Sequence, residues 1–159
     1  MAMAWRVPWR GMASTALLGP ALALGMALIA VGLNTPRETT ALDALVKDRW
    51  SLIAIGIAAT TFGPVFEEII FRGFAQPLFV RSLGLVGGLI ATSLPFALLH
   101  GPQYNWNWKL LLSLTLASVA FGFVRYRTGS TAASSLTHAA YNLTFMAGII
   151  LQGDALNRT

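Results

Sequence analysis

Residues 51–80 read SLIAIGIAATTFGPVFEEIIFRGFAQPLFV. A straight helix of that length would measure about 45 Å at 1.5 Å per residue. The hydrocarbon core of a bilayer is about 30 Å thick, so such a helix must tilt, kink or emerge. Pro64 supplies the kink site, because it lacks the N–H that would bond the carbonyl of Thr60. Only three residues of the run are ionisable: Glu67, Glu68 and Arg72. Each would cost roughly 2.5–3.5 kcal/mol at mid-membrane on insertion scales. They are therefore expected to face a protein interior rather than lipid, and intramembrane ionisable residues are functional candidates by default.

The rest of the chain has the same character. Of 159 residues, 55% are hydrophobic and 11% are charged, against about 25% charged in soluble domains. The mean hydropathy is +0.64. These values exclude an ordinary soluble enzyme, a disordered protein and a nucleic-acid binder, and leave a small integral membrane protein. The net charge of +5 comes from basic residues in short turns between apolar runs, a pattern that fits topology signals and contact with anionic headgroups. The chain has no cysteine, which excludes disulfides, thiolate metal sites and thiol catalysis.

Outward from the central run, residues 12–33 hold no charge and follow Trp5, Arg6, Trp9 and Arg10, an interfacial anchor. At 22 residues this stretch is longer than the 7–15 of a signal peptide's apolar region and reads as a retained helix. Residues 34–50 form the most polar stretch, with Arg37, Glu38, Asp43, Lys47, Asp48 and Arg49, and read as a loop. A turn at Arg81–Gly84 leads to a run over 85–99, which Gly101-Pro102 stops. Tyr104, Trp106 and Trp108 mark an aromatic belt, and further runs follow over 109–124 and 130–151. The chain is thus expected to be all-α: one membrane domain over 1–159, a polytopic transmembrane helix bundle of about five spans (12–33, 51–80, 85–99, 109–124 and 130–151). Lys and Arg divide six against five between the two sides, only a slight bias towards a cytoplasmic N-terminus.

Helix geometry separates the two glutamates. Glu68 and Arg72 stand i,i+4, about 40° apart on one face, and can pair. Glu67 stands five residues from Arg72, about 140° around the helix, and is left unpaired. An unpaired buried carboxylate suits a general base, although a structural role or a proton path fits the spacing equally well. The two histidines both lie in apolar runs: His100 has Phe96 one turn before it, and His138 has Asn142 one turn after it. Counted from the turns on one side, Glu67, His100 and His138 stand at heights of roughly 21, 24 and 14 Å. Modest tilts would bring them to one level.

The three patterns, Glu67-Glu68-x-x-x-Arg72, Phe96-x-x-x-His100 and His138-x-x-x-Asn142, fall in this order on successive apolar runs. The ordered set resembles the CPBP family of intramembrane proteases, over about residues 60–146. That family includes the CAAX prenyl endopeptidases and Abi-type bacteriocin-processing and immunity proteins. The resemblance implies a glutamate protease that uses no cofactor or metal. Glu67 would be the base that activates water, and His100 would position that water. His138 and Asn142 would stabilise the oxyanion. Glu68 and Arg72 would hold the site in shape, and Phe96 would pack beside it. It further implies an integral protein of a bacterial inner membrane, partnered by lipid and by a membrane-associated peptide or protein, prenylated or bearing a leader. Members commonly carry more spans before the glutamate motif than the one present here, so a second copy or a partner subunit would complete the cavity.

Two other function classes fit the same residues. A non-catalytic immunity or scaffold protein of this fold would keep its effect without Glu67 and His138. A transporter or proton relay would use the buried Glu and His residues without proteolysis. Zinc on Glu67, His100 and His138 is a variant of the protease reading, but the chain has no His-Glu-x-x-His helix.

Overall fold

The computed structural model describes residue 5 and residues 11–35 and 45–151. Arg6, Trp9, Arg10, Arg37, Glu38, Asp43 and the 152–159 tail lie outside the described residues. Those described are helical, with no strand among them. Helix α1 is Met12–Gly32. Helical backbone then runs from Arg49 to Leu99. Its direction breaks at Gly84, whose φ of 70° and ψ of 178° are not helical. The two arms are α2 (residues 49–83) and α3 (residues 85–99). A 3₁₀ turn, Pro102–Tyr104, connects to α4 (Trp108–Thr128). Helix α5 is Thr131–Leu151.

Several boundaries differ from the sequence expectation. Helix α4 runs to Thr128 rather than to 124 and ends at Gly129, which takes the left-handed region. Two others have local reasons. Helix α2 begins at Arg49 rather than Ser51, because Asp48 caps it. The Asp48 carboxylate accepts from Ser51 N at 2.8 Å and Ser51 Oγ accepts from Asp48 N at 3.0 Å, a reciprocal capping box. That hydrogen bond from the Ser51 backbone holds the exposed Asp48 carboxyl below its ordinary range. The expected four-residue turn at 81–84 shrinks to one residue, since Gly84 takes a positive φ without a Cβ clash.

Helix α2 also holds two π-helical segments, Ala58–Phe62 and Ile69–Ala75. Each ends just before a proline. Gly63 N–H bonds Ala58 O ahead of Pro64, and Gln76 N–H bonds Phe71 O ahead of Pro77. A proline ring clashes with the carbonyl four residues earlier, and a widened i→i+5 turn moves that carbonyl away. The wide turns also straighten the side-chain rows. In a pure α-helix, residues four apart drift about 40° per step. Here Pro64, Glu68, Arg72 and Gln76 are all buried, while Phe62, Phe66, Ile70, Phe74 and Leu78 are all exposed. One helix thus presents a polar row inward and an apolar row outward.

Among the described residues, three helical stretches are long and apolar enough to cross a membrane: Met12–Gly32, the bent Arg49–Leu99 and Trp108–Thr128. The chain is an integral membrane protein with an all-α bundle. Helix α5 has the length of a span, but its Ser, Thr, His and Asn residues lower its hydropathy. Its first half is turned into the bundle, with Ser134, Thr137, His138 and Tyr141 among its buried residues, and its second half exposes Leu143, Phe145, Ile149 and Leu151. Helix α1 locks onto α5. A Cβ on Gly19 would stand 2.6 Å from Ala140 Cβ, and Thr137 Oγ1 donates to Thr15 O at 2.9 Å. That contact fixes α5 one residue before His138.

Candidate active site

The inward row of α2 carries a fully buried ion pair, Arg72 Nη1 to Glu68 Oε1 at 2.9 Å. Arg72 Nη2 donates to both O and Oγ of Ser118 on α4, each at 2.7 Å. The guanidinium lies 4.9 Å from the Phe96 ring centre and 5.6 Å from that of Phe121. Glu68 is held from α5 as well, where Ser134 Oγ donates to Oε2 at 2.5 Å and His138 Nδ1 stands 3.1 Å from Oε1. Charges without water must be paired and hydrogen-bonded. The pair draws most of its partners from α4 and α5 and so ties three helices together, while Arg72 Nε has no hydrogen-bond partner among the described residues.

Glu67 points elsewhere, and a third of its side chain stays exposed. Its Oε1 is 3.9 Å from His100 Nε2 and its Oε2 is 3.8 Å from His138 Nε2. Both gaps exceed a direct hydrogen bond, and both are narrow enough for one bridging water, which covers up to about 5–6 Å between heavy atoms. The histidine tautomers follow from the far side of each ring. His100 Nδ1 lies 2.8 Å from Phe96 O, and His138 Nδ1 faces the Glu68 carboxylate. Those partners only accept, so each Nδ1 carries a hydrogen, and a neutral ring turns a bare Nε2 towards Glu67. His138 is stacked on Phe121 at 4.5 Å, and Phe96 touches the rings of His100, His138 and Phe71. Phe96, 1% exposed, is the shared wall of the site.

Asn142 sits one turn beyond His138, on the side of the first widened turn of α2. Its Nδ2 donates to Ala59 O at 2.8 Å. The structure thus brings Glu67, His100 and His138 around one gap, sets Glu68, Arg72 and Phe96 behind them, and anchors Asn142 to the backbone beside Pro64. Among the described residues, no group of three or more His, Asp or Glu side chains has a placement that could hold a metal ion.

Three participants are not legible in the sequence. Ser118 and Ser134 are unremarked serines in the sequence, and only helix packing makes them partners of Arg72 and Glu68. Tyr104 reads as part of the aromatic belt. Trp106 and Trp108 are indeed exposed, but Tyr104 turns inward. Burial first, and then the charge of Glu67, push its hydroxyl above the usual phenol range. The sequence signal is its place four residues after His100; in the structure the next two residues, Asn105 and Trp106, have positive φ.

The type II CAAX prenyl endopeptidase Rce1-like family matches residues 49–144, more than half of the chain. Neither a curated protein nor a solved structure matches. The matched stretch holds every residue of the site described above and leaves out α1. The chain belongs to the Rce1-like family, a family of CAAX-type proteases.

Proposed function

We propose that this Rce1-like protein is an intramembrane endopeptidase in which Glu67 activates water against a peptide bond of a membrane-associated substrate, without a metal. The observation that carries this reading is the placement of the two Glu67 oxygens 3.9 and 3.8 Å from the Nε2 atoms of His100 and His138. A water in that gap would give one proton to Glu67 and be aligned by His100. Its oxygen would bond the substrate carbonyl carbon. The oxyanion would take a hydrogen bond from the N–H of Asn142 that Ala59 does not use, and one from His138. For His138 Nε2 to donate, the ring must be an imidazolium, since Nδ1 keeps its proton towards Glu68. The Glu68 carboxylate is the group that would stabilise that cation. Collapse of the intermediate breaks the C–N bond, and Glu67 returns its proton to the leaving amine.

The substrate is proposed to be a peptide carrying a lipid, as in prenylated C-termini. An apolar groove of about 360 Å³ runs between α2 and α5, lined by Leu52, Ile53, Ile57, Thr60, Leu143 and Met146. Its Thr60 and Leu143 end adjoins Ala59 and Asn142, so a chain in the groove would place an attached peptide at the site. The test is purified protein in proteoliposomes with matched prenylated and unprenylated peptides, read by mass spectrometry. Cleavage that leaves a new carboxyl terminus near the lipid, faster for the prenylated peptide, is expected. No cleavage of either peptide by well-folded protein would overturn the reading.

A further inference from the structure

The carbonyl of Ala59 is left without a helical donor by two coupled features. In an α-helix its donor would be Gly63 N–H, but that group bonds Ala58 O instead. In the widened turn its donor would be the residue one further on, which is Pro64 and has no N–H. In a membrane such a carbonyl must find another partner, and the partner is Asn142 Nδ2 at 2.8 Å. The side-chain amide is planar and has two hydrogens at fixed directions. With one directed at Ala59 O, the plane of the group and the heading of the other hydrogen are set.

We infer that Pro64 is a positioning residue for the reaction. By keeping the Ala59 carbonyl free of a backbone donor, it anchors the Asn142 amide and aims its second N–H at the oxyanion. This rests on the role given to Asn142 in the proposed mechanism. Pro64 is buried in α2 and has no polar hydrogen of its own; beyond the steric widening of the turn, its influence on Asn142 passes through the carbonyl it leaves open. A residue with an N–H at position 64 would compete for Ala59 O, close the turn and release Asn142.

The experiment compares wild type, Pro64→Ala, Asn142→Ala and the double variant with one prenylated peptide in proteoliposomes. Pro64→Ala is expected to lower kcat about three- to tenfold, the range of one lost hydrogen bond, with KM unchanged. Asn142→Ala is expected to lower kcat about 10²–10³-fold. In the Asn142→Ala background, Pro64→Ala should change kcat by less than about twofold, because the two act as one unit. An equal loss from Pro64→Ala in both backgrounds would overturn the inference. A second readout does not depend on activity: the side-chain amide resonances of Asn142 in [¹⁵N]asparagine-labelled protein. They are expected to move to solvent-like values in Pro64→Ala, and unchanged resonances would overturn the inference. If wild type cleaves nothing while the resonances move, the anchoring of Asn142 stands and the proteolytic reading fails.

Discussion

Replacing Arg72 with methionine keeps most of the side chain's volume but removes the cation from the centre of the bundle. Glu68 remains fully buried and loses its 2.9 Å ion partner. Removing one side of a buried pair costs about 3–5 kcal/mol. Ser118 loses a donor at both O and Oγ, at about 1–3 kcal/mol for each buried acceptor left unsatisfied. Ser134 and His138 still hold Glu68 and offset part of this. A loss of about 3–5 kcal/mol is therefore expected, a large fraction of the roughly 5–15 kcal/mol that keeps a domain folded. The assay is reversible unfolding in mixed micelles with increasing SDS, for Arg72→Met, Glu68→Met and the double variant. The double variant should be less destabilised than the sum of the singles by at least about 1 kcal/mol, as residues in contact show. An Arg72→Met loss below about 1 kcal/mol, or strict additivity, would refute the assignment of this pair as the internal tie between α2, α4 and α5.

Gly19→Leu should cost about 1–3 kcal/mol by overpacking. It should also lower cleavage, because α1 would be pushed off the His138 turn of α5; the same unfolding assay and the peptide assay check both. Tyr104→Phe is expected to change stability by less than about 1 kcal/mol and to lower kcat/KM about three- to tenfold through loss of one hydroxyl at the Glu67 side of the site; steady-state kinetics with folded protein test it. Incubation with EDTA and 1,10-phenanthroline should leave cleavage unchanged, and loss of activity restored by zinc would instead favour a metal on Glu67, His100 and His138.

The sequence made the bundle legible where apolar length and turn residues agree, as over Met12–Gly32 and Trp108–Thr128. The i,i+4 spacing of Glu68 and Arg72 carries the ion pair, and the same geometry points Glu67 away from Arg72. Other features depend on tertiary partners that spacing does not encode. Pro64 signals a disturbed helix, but a widened turn with Ala59 O bonded by Asn142 needs α5 in place. Ser118 and Ser134 become polar anchors only because Arg72 and Glu68 require partners across the helix interfaces. Tyr104 turns inward because the strained turn after His100 leaves it there, whereas its aromatic neighbours behave as an interfacial belt. Helix α5 reads as a span by length, yet its polar face is used to build the site.

The most direct measurement is the single-turnover cleavage rate of Glu67→Gln protein beside wild type, on the same prenylated peptide in proteoliposomes. Glutamine keeps the shape of the side chain and removes the base. With substrate binding unchanged, the rate should fall about 10²–10⁴-fold, the contribution of a positioned general base. Cleavage by Glu67→Gln protein at the wild-type rate would contradict the assignment of Glu67 as the group that activates water.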